Sequence, residues 1–227
     1  MTAPKVEPKI YTAVVLDFET GGLNCVDCAC TQLAMQAVRL DNWVVLERYA
    51  KYIAPYRKLD IGGAPKRKVL KTRQALVQED AGISMKYEPV ALTYSAITMD
   101  MLCSQGVDLK EVAQDVIEFG KRNTLSKGQQ CKPILIGQNI TFDIGFLQQL
   151  IAYAGLMPEF EKVFAGKVDF YGNFQPHYVD TIDLGRFAFA HLPDVTSYKL
   201  EILSERLGIE LDDAHDAGAD VTATLND

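Results

Sequence analysis

Two carboxylates two residues apart, Asp17 and Glu19, follow the apolar run Val14-Val15-Leu16 and precede Thr20-Gly21-Gly22-Leu23. Such a run reads as a buried strand. Side chains at i and i+2 of a strand stand on one face, so the two acids lie side by side. Like charges held together are costly unless a cation neutralises them. The pair therefore asks for a divalent metal bound by oxygen. The plain alternative is an edge strand with two solvated acids.

Two further acidic stations lie downstream. Asn139-Ile140-Thr141-Phe142-Asp143 follows the short apolar run Ile134-Leu135-Ile136. The spacing puts Asp143 on the first turn of a helix at a strand end, where open α/β sheets keep their active sites. By itself, an acid there only complements the helix dipole. The third station is His215-Asp216-Ala217-Gly218-Ala219-Asp220. Five helical steps rotate about 140°, so His215 and Asp220 cannot share a helix face. His215 belongs in the entry loop and Asp220 one turn into the helix. A histidine beside a fixed carboxylate suits proton transfer next to a metal; by itself it reads as a surface-loop histidine.

The elements that must hold these stations follow from periodicity and caps. Ile10 to Leu16, Thr31 to Arg39 and Trp43 to Ile53 read as strands, the last two joined by a turn at Asp41-Asn42. Thr98 opens a helix that Gly106 ends, and a second helix spans Asp108 to Arg122. A polar linker, 123–132, leads to the strand Ile134 to Ile136 and a helix from Ile140 to Ala154. The span 155–177 reads as irregular. Tyr178 to Thr181 is the last strand, followed by helices at Ile182 to Ala190, at Lys199 to Leu207 behind a Ser197 cap, and from about His215. Strands first, then alternating helix and strand, indicate an α/β fold with a central mixed β-sheet flanked by α-helices.

The chain has 227 residues, 48% of them hydrophobic, and carries 30 acids against 23 bases for a net charge of −7. These values fit one globular domain, 1–227, behind a polar tail at 1–9. The charge excludes a protein that holds long nucleic acid by broad phosphate neutralisation. No apolar run reaches the length of a membrane span and no apolar leader follows Met1, so the expectation is a cytoplasmic protein with no membrane partner. Five cysteines fit reduced thiols. Cys25, Cys28 and Cys30 cluster, but only Asp27 is near as a fourth zinc ligand, and they read as small loop or core residues. Residues 55–94 carry Arg57, Lys58, Lys66, Arg67, Lys68, Lys71 and Arg73. They read as a basic surface insertion with a short helix over Lys66 to Gln78. Such a run is a solvated loop or a patch that meets nucleic acid or a partner protein.

In this order, Asp-x-Glu-Thr, Asn-x-x-x-Asp and His-x-x-x-x-Asp closely resemble the DnaQ-like DEDDh 3′–5′ exonucleases of the ribonuclease H-like fold, such as the epsilon-subunit exonuclease of DNA polymerase III. Supporting stretches are Ile97-Thr98 with Met101-Leu102, Val179-Asp180-Thr181, and Tyr198-Lys199-Leu200 with Leu207-Gly208-Ile209. The chain departs from the pattern at Ser95-Ala96-Ile97-Thr98, where the family often has His-Gly-Ile-Thr. Its insertion is also longer, and its stop at Asp227 suggests a domain cut from a larger protein. The resemblance implies a hydrolase that releases nucleoside 5′-monophosphates from nucleic-acid 3′ ends. Asp17, Glu19, Asp143 and Asp220 would hold two Mg²⁺ or Mn²⁺ ions, and His215 would move the proton. Thr20, Gly21, Gly22, Leu23, Ile97, Asn139 and Phe146 would receive the terminal nucleotide; by itself, Phe146, one turn after Asp143, reads as a core residue. The implied partners are a single-stranded DNA or RNA 3′ end and, for a proofreader in DNA replication, a DNA polymerase. DNA is the first reading. The alternatives are an exoribonuclease like ribonuclease T or oligoribonuclease, and a non-catalytic nucleic-acid-binding module.

Overall fold

The apolar run before Asp17 forms the central strand of the molecule. The computed structural model describes residues 8–59, 83–207, 221, 222 and 224. Strand β1 (Thr12–Thr20) pairs antiparallel with β2 (Cys30–Arg39), which pairs antiparallel with β3 (Val45–Tyr52). Helices α1 (Pro89–Tyr94), α2 (Met99–Gln105) and α3 (Leu109–Arg122) follow. Then come β4 (Ile134–Gly137), α4 (Ile140–Tyr153), α5 (Met157–Val163), β5 (Gly166–Val168), β6 (Phe174–Pro176) and β7 (Tyr178–Asp180). Helices α6 (Thr181–Phe189) and α7 (Leu200–Leu207) close the series. The main sheet runs β3-β2-β1-β4-β7 with β4 parallel to both β1 and β7, and β5-β6 form a separate hairpin. It is the mixed sheet flanked by helices that the sequence indicates.

Strand β1 is apolar on both faces because helices or chain cover both. Val14, Leu16 and Phe18 enter the larger core with Val112, Val116 and Phe119 of α3 and Ile144, Leu147 and Ile151 of α4. Ala13 and Val15 enter a second cluster with Ala34, Val38, Ile136 and Val221. The helix starts follow the caps: Thr98 accepts from the Met101 N–H at 3.2 Å, Asp108 from Lys110 at 2.9 Å and Asp180 from Ile182 at 3.0 Å.

β1 runs on past Leu16 to Thr20, so both acids sit within the strand, as their i, i+2 reading requires. Two expectations change. The span 155–177 is not irregular: it holds α5 and the β5-β6 hairpin. These elements are too short for periodicity to show. They are fixed instead by aromatic packing, with Phe160 4.9 Å from Phe164 and 5.5 Å from Phe174 between ring centres. The insertion over 55–94 is not all surface. Residues 57 and 84 form an antiparallel bridge, 28 and 86 a parallel one. Met85 is buried in the main core, within reach of the Tyr153 hydroxyl at 3.7 Å, and α1 follows. The helix expected over Lys66 to Gln78 lies outside the described residues. Of the last helix, residues 221, 222 and 224 are described and helical. No helix among the described residues is long and apolar enough to cross a membrane.

Phe119 is fully buried and meets Tyr49 edge-on at 6.3 Å. Phe119→Ala should cost about 3–5 kcal/mol of unfolding free energy, read from urea denaturation of the two proteins.

Candidate active site

The acid pair takes its direction from strand register. Asp17 is opposite Ala34 and Glu19 opposite Gln32, and the only shift in the β1-β2 ladder falls after Glu19. Ala13, Val15, Asp17 and Glu19 therefore line one face. Both acids are half-buried. β4 pairs with β1 only at Ala13, Val14 and Val15, so the acidic end of β1 extends past its parallel neighbour.

Asp143 meets that overhang. Its Oδ1 accepts the backbone N–H of Phe18, the residue between the two acids, at 2.9 Å. A buried strand amide without a ladder partner needs another acceptor, and the first turn of α4 supplies it. Asp143 is itself 3% exposed. Burial pushes its carboxyl up to about 8, the charge of Asp180 pushes the same way, and the Phe18 N–H opposes them.

Asn139 aims the start of α4. It adopts the left-handed conformation, φ 53° and ψ 39°, which asparagine tolerates better than most residues. Its N–H donates to Asp180 Oδ1 at 3.0 Å, the same oxygen that caps α6. One carboxylate thus fixes the entries of two helices. Gln138 ties the same corner to the approach of α7, donating to the Tyr198 carbonyl at 2.7 Å and accepting from the Thr181 hydroxyl.

His215 and Asp220 lie outside the described residues. Val221 is 1% exposed and packs with Ala13, Val15 and Ala34. Thr222 accepts from Gln36 Nε2 at 2.6 Å. The residue after Asp220 is therefore held on the face that carries Asp17 and Glu19. Among the described residues, no three His, Cys, Asp or Glu side chains form a group that could hold a metal ion.

The loop after the acids is closely packed. The Thr20 hydroxyl donates to the Gly22 carbonyl at 2.8 Å, Gly21 N–H to Ala29, and Glu88 N–H to the Gly21 carbonyl. A Cβ on Gly21 would lie 2.5 Å from the Lys86 carbonyl oxygen, and one on Gly22, where φ is 154°, 2.7 Å from the Cys28 sulfur. What comes close to these glycines is the chain's own segment 86–88. Leu23 is 85% exposed. Of the two readings of Phe146 the core one holds: it is fully buried, 5.0 Å from the Phe142 ring. Ile97 is corrected: at 4% exposed, its side chain offers no surface to a nucleotide.

Cys28 and Cys30 are core residues, and burial pushes the Cys30 thiol up to about 12. Lys58 and Lys86 both engage Asp27, at 2.5 and 3.3 Å, so Lys58 is tied to the loop. Asp180 entered the sequence reading only as part of the stretch Val179-Asp180-Thr181, without its capping role, and Tyr56 and Gln149 gave no sequence signal.

No protein-family model matches the chain. The PolC-type DNA polymerase III of Bacillus subtilis is 28% identical over 213 residues, covering 94% of this chain and 11% of that protein. The Bacillus cereus PolC-type polymerase is 26% identical over the same share. E. coli exonuclease I in complex with a dT13 oligonucleotide superimposes with a TM-score of 0.63 at 20% identity, over 95% of this chain and 39% of that one. Its zinc-bound complex with single-stranded DNA gives 0.62 at 22%. The fold is thus α/β and ribonuclease H-like. Together these likenesses support the DnaQ-like resemblance carried by the acidic stations. The chain spans about a tenth of the length of the polymerases it matches.

Asp143 has a testable signature. A carboxyl whose pKa is raised by folding stabilises the fold below its unfolded value, and that contribution is lost as pH rises through the folded value. In the metal-free protein, unfolding free energy measured against pH should therefore decline between about 4 and 8 relative to Asp143→Asn. The variant keeps an acceptor for Phe18 without the charge, so the difference between the two curves isolates this group.

Proposed function

We propose that the chain is a single metal-dependent 3′–5′ exonuclease domain that hydrolyses single-stranded DNA from its 3′ end and releases nucleoside 5′-monophosphates. The observation that carries this reading is the hydrogen bond from Phe18 N–H to Asp143 at 2.9 Å. It fastens a third carboxylate, from a helix start, to the strand segment that bears Asp17 and Glu19. The position of Val221 supports a fourth, since it packs on the acid-bearing face one residue after Asp220. Exonuclease I, the fold match, was solved with DNA oligonucleotides and with zinc, which favours DNA and a divalent ion.

An all-carboxylate donor set suits hard cations, Mg²⁺ or Mn²⁺. Asp143 fits one: buried, with its charged form disfavoured, it gains from a cation beside it. Asp17, Glu19, Asp143 and Asp220 would hold two ions, which when bound stabilise the attacking and leaving oxygens of an in-line displacement. His215 takes the proton from the attacking water as general base. Thr20, Gly21, Gly22 and the exposed Leu23 receive the terminal nucleotide, Leu23 with its apolar face to the base; Asn139 borders the site at the start of α4. The likeness to replicative polymerases supports service to a DNA polymerase as a proofreader, in the cytoplasm. An acidic protein of this kind meets a short stretch of strand through bound cations and not through a broad basic surface.

Asp17→Ala, and chelation of the wild type, should each abolish release of mononucleotides from a 5′-labelled single-stranded oligodeoxynucleotide. The thermal melt of the metal-free variant should stay cooperative, because removing an acid from the cluster relieves repulsion. Full activity in Asp17→Ala excludes the nuclease reading.

His215→Ala separates proton transfer from metal binding. The rate should fall by about 10²–10⁴ while Mn²⁺ affinity in titration stays close to wild type. The variant should also lose an inflection that the wild-type rate shows at roughly pH 6–7. A large loss of Mn²⁺ affinity would instead make His215 part of the metal site.

A further inference from the structure

The loop that follows the acid pair is held from below by one buried side chain that none of the proposed chemistry uses. Gln149 lies on α4, 7% exposed. Its Nε2 donates to the carbonyls of Cys25 and Cys28, the latter at 2.9 Å. Its Oε1 accepts from the Tyr56 hydroxyl at 2.6 Å. The Tyr56 oxygen in turn accepts the Cys30 N–H at 2.6 Å. The amide thus places both its donors and its acceptor on the segment 25–30 or on the residue that holds it, and every polar atom is satisfied. A second contact lies one turn earlier: a Cβ on Gly145 would stand 3.0 Å from the Cys25 sulfur. At its first turn, the same helix carries Asp143 to Phe18.

We infer that Gln149 is a positioning residue, which sets the loop carrying Leu23 at a fixed place relative to the carboxylates. The inference rests on the exonuclease reading above. α4 acts as a ruler, with one end fixed to β1 through Asp143 and its middle fixed to the loop through Gln149 and Gly145. The loop is also bonded to the segment 86–88, through Ala29 N–H to the Lys86 carbonyl at 3.1 Å and Lys86 N–H to the Asp27 carbonyl at 2.9 Å, but Gln149 ties it to the helix that carries Asp143. Its own bonds, such as Cys28 N–H to the Asn24 carbonyl at 2.8 Å, shape it without locating it. A loop that receives the terminal nucleotide contributes binding that is similar in ground and transition states. Loosening it should therefore appear in KM and spare kcat, because ordering the loop is then charged to each binding event.

The test uses the full chain, Gln149→Met and Tyr56→Phe, with a single-stranded oligodeoxynucleotide and Mn²⁺. Methionine keeps the length and apolar bulk and removes every hydrogen bond. KM should rise about tenfold in Gln149→Met and less in Tyr56→Phe, with kcat within about threefold of wild type. Amides between Gly21 and Cys30 should exchange with deuterium faster in the metal-free variant, while those of α3 keep their protection. A role confined to stability lowers the melting temperature but leaves KM and kcat in place, and that result overturns the inference. A fall in kcat at constant KM overturns it as well. If Gln149→Met does not fold, Tyr56→Phe decides by the same split. A wild-type chain that hydrolyses nothing counts against the exonuclease reading; an active wild type with an unchanged Gln149→Met counts against the positioning role.

Discussion

One hydrogen bond sets the geometry on which the candidate site depends: the Phe18 N–H to the Asp143 carboxylate. β1 outruns β4, and its last turns of backbone would otherwise present an unpaired amide in a buried place. Supplying the acceptor from α4 does two things at once. It satisfies the amide, and it brings a carboxylate to the residue between two others. The carboxyl sits in low dielectric as a result, and its ionised form is held at a cost. A cation offsets that cost, which is why a poorly solvated acid at this position points to a metal more strongly than an exposed one would.

The rest of the frame is arranged around the ends of α4. Its entry is set by Asn139 in a left-handed conformation and by Asp180, whose single oxygen caps α6 and receives the Asn139 N–H. Its flank is set by the main core through Ile144, Leu147 and Ile151. Its polar residue, Gln149, faces the loop that follows the acids. The second face of the sheet, with Ala13 and Val15, holds Val221 on the face that carries Asp17 and Glu19. Distant parts of the sequence therefore meet at one end of β1 through ordinary core packing.

The insertion also takes on a new aspect. Its described ends are bridged to each other at 57–84 and to the loop at 28–86, and Lys58 and Lys86 both reach Asp27 of the loop. The Lys86 pair is exposed and contributes little; the two pairs together join the insertion to the loop. Gly21 and Gly22 are required by this internal closeness, whatever else the loop receives.

The sequence by itself determined the mixed α/β class, the three acidic stations and their order, because strand alternation, helix caps and i, i+2 spacing are local properties of the chain. It also placed α2, α3, α4 and β7 to within a residue or two, since Thr98, Asp108 and Gly106 act on their own neighbours. Other features were decided only by tertiary structure. The register of β1 against β2, with its shift after Glu19, depends on the partner strand. The burial of Ile97, expected to face a nucleotide, and the choice of core for Phe146 depend on which side of each segment meets the core. The hairpin β5-β6 and helix α5 exist because Phe160, Phe164 and Phe174 find one another. Gln149 and Tyr56 hold a loop 93 residues from one to the other in sequence, and no local pattern encodes a contact between such partners. Local rules govern what each segment can be; long-range packing governs which of its atoms remain free for chemistry.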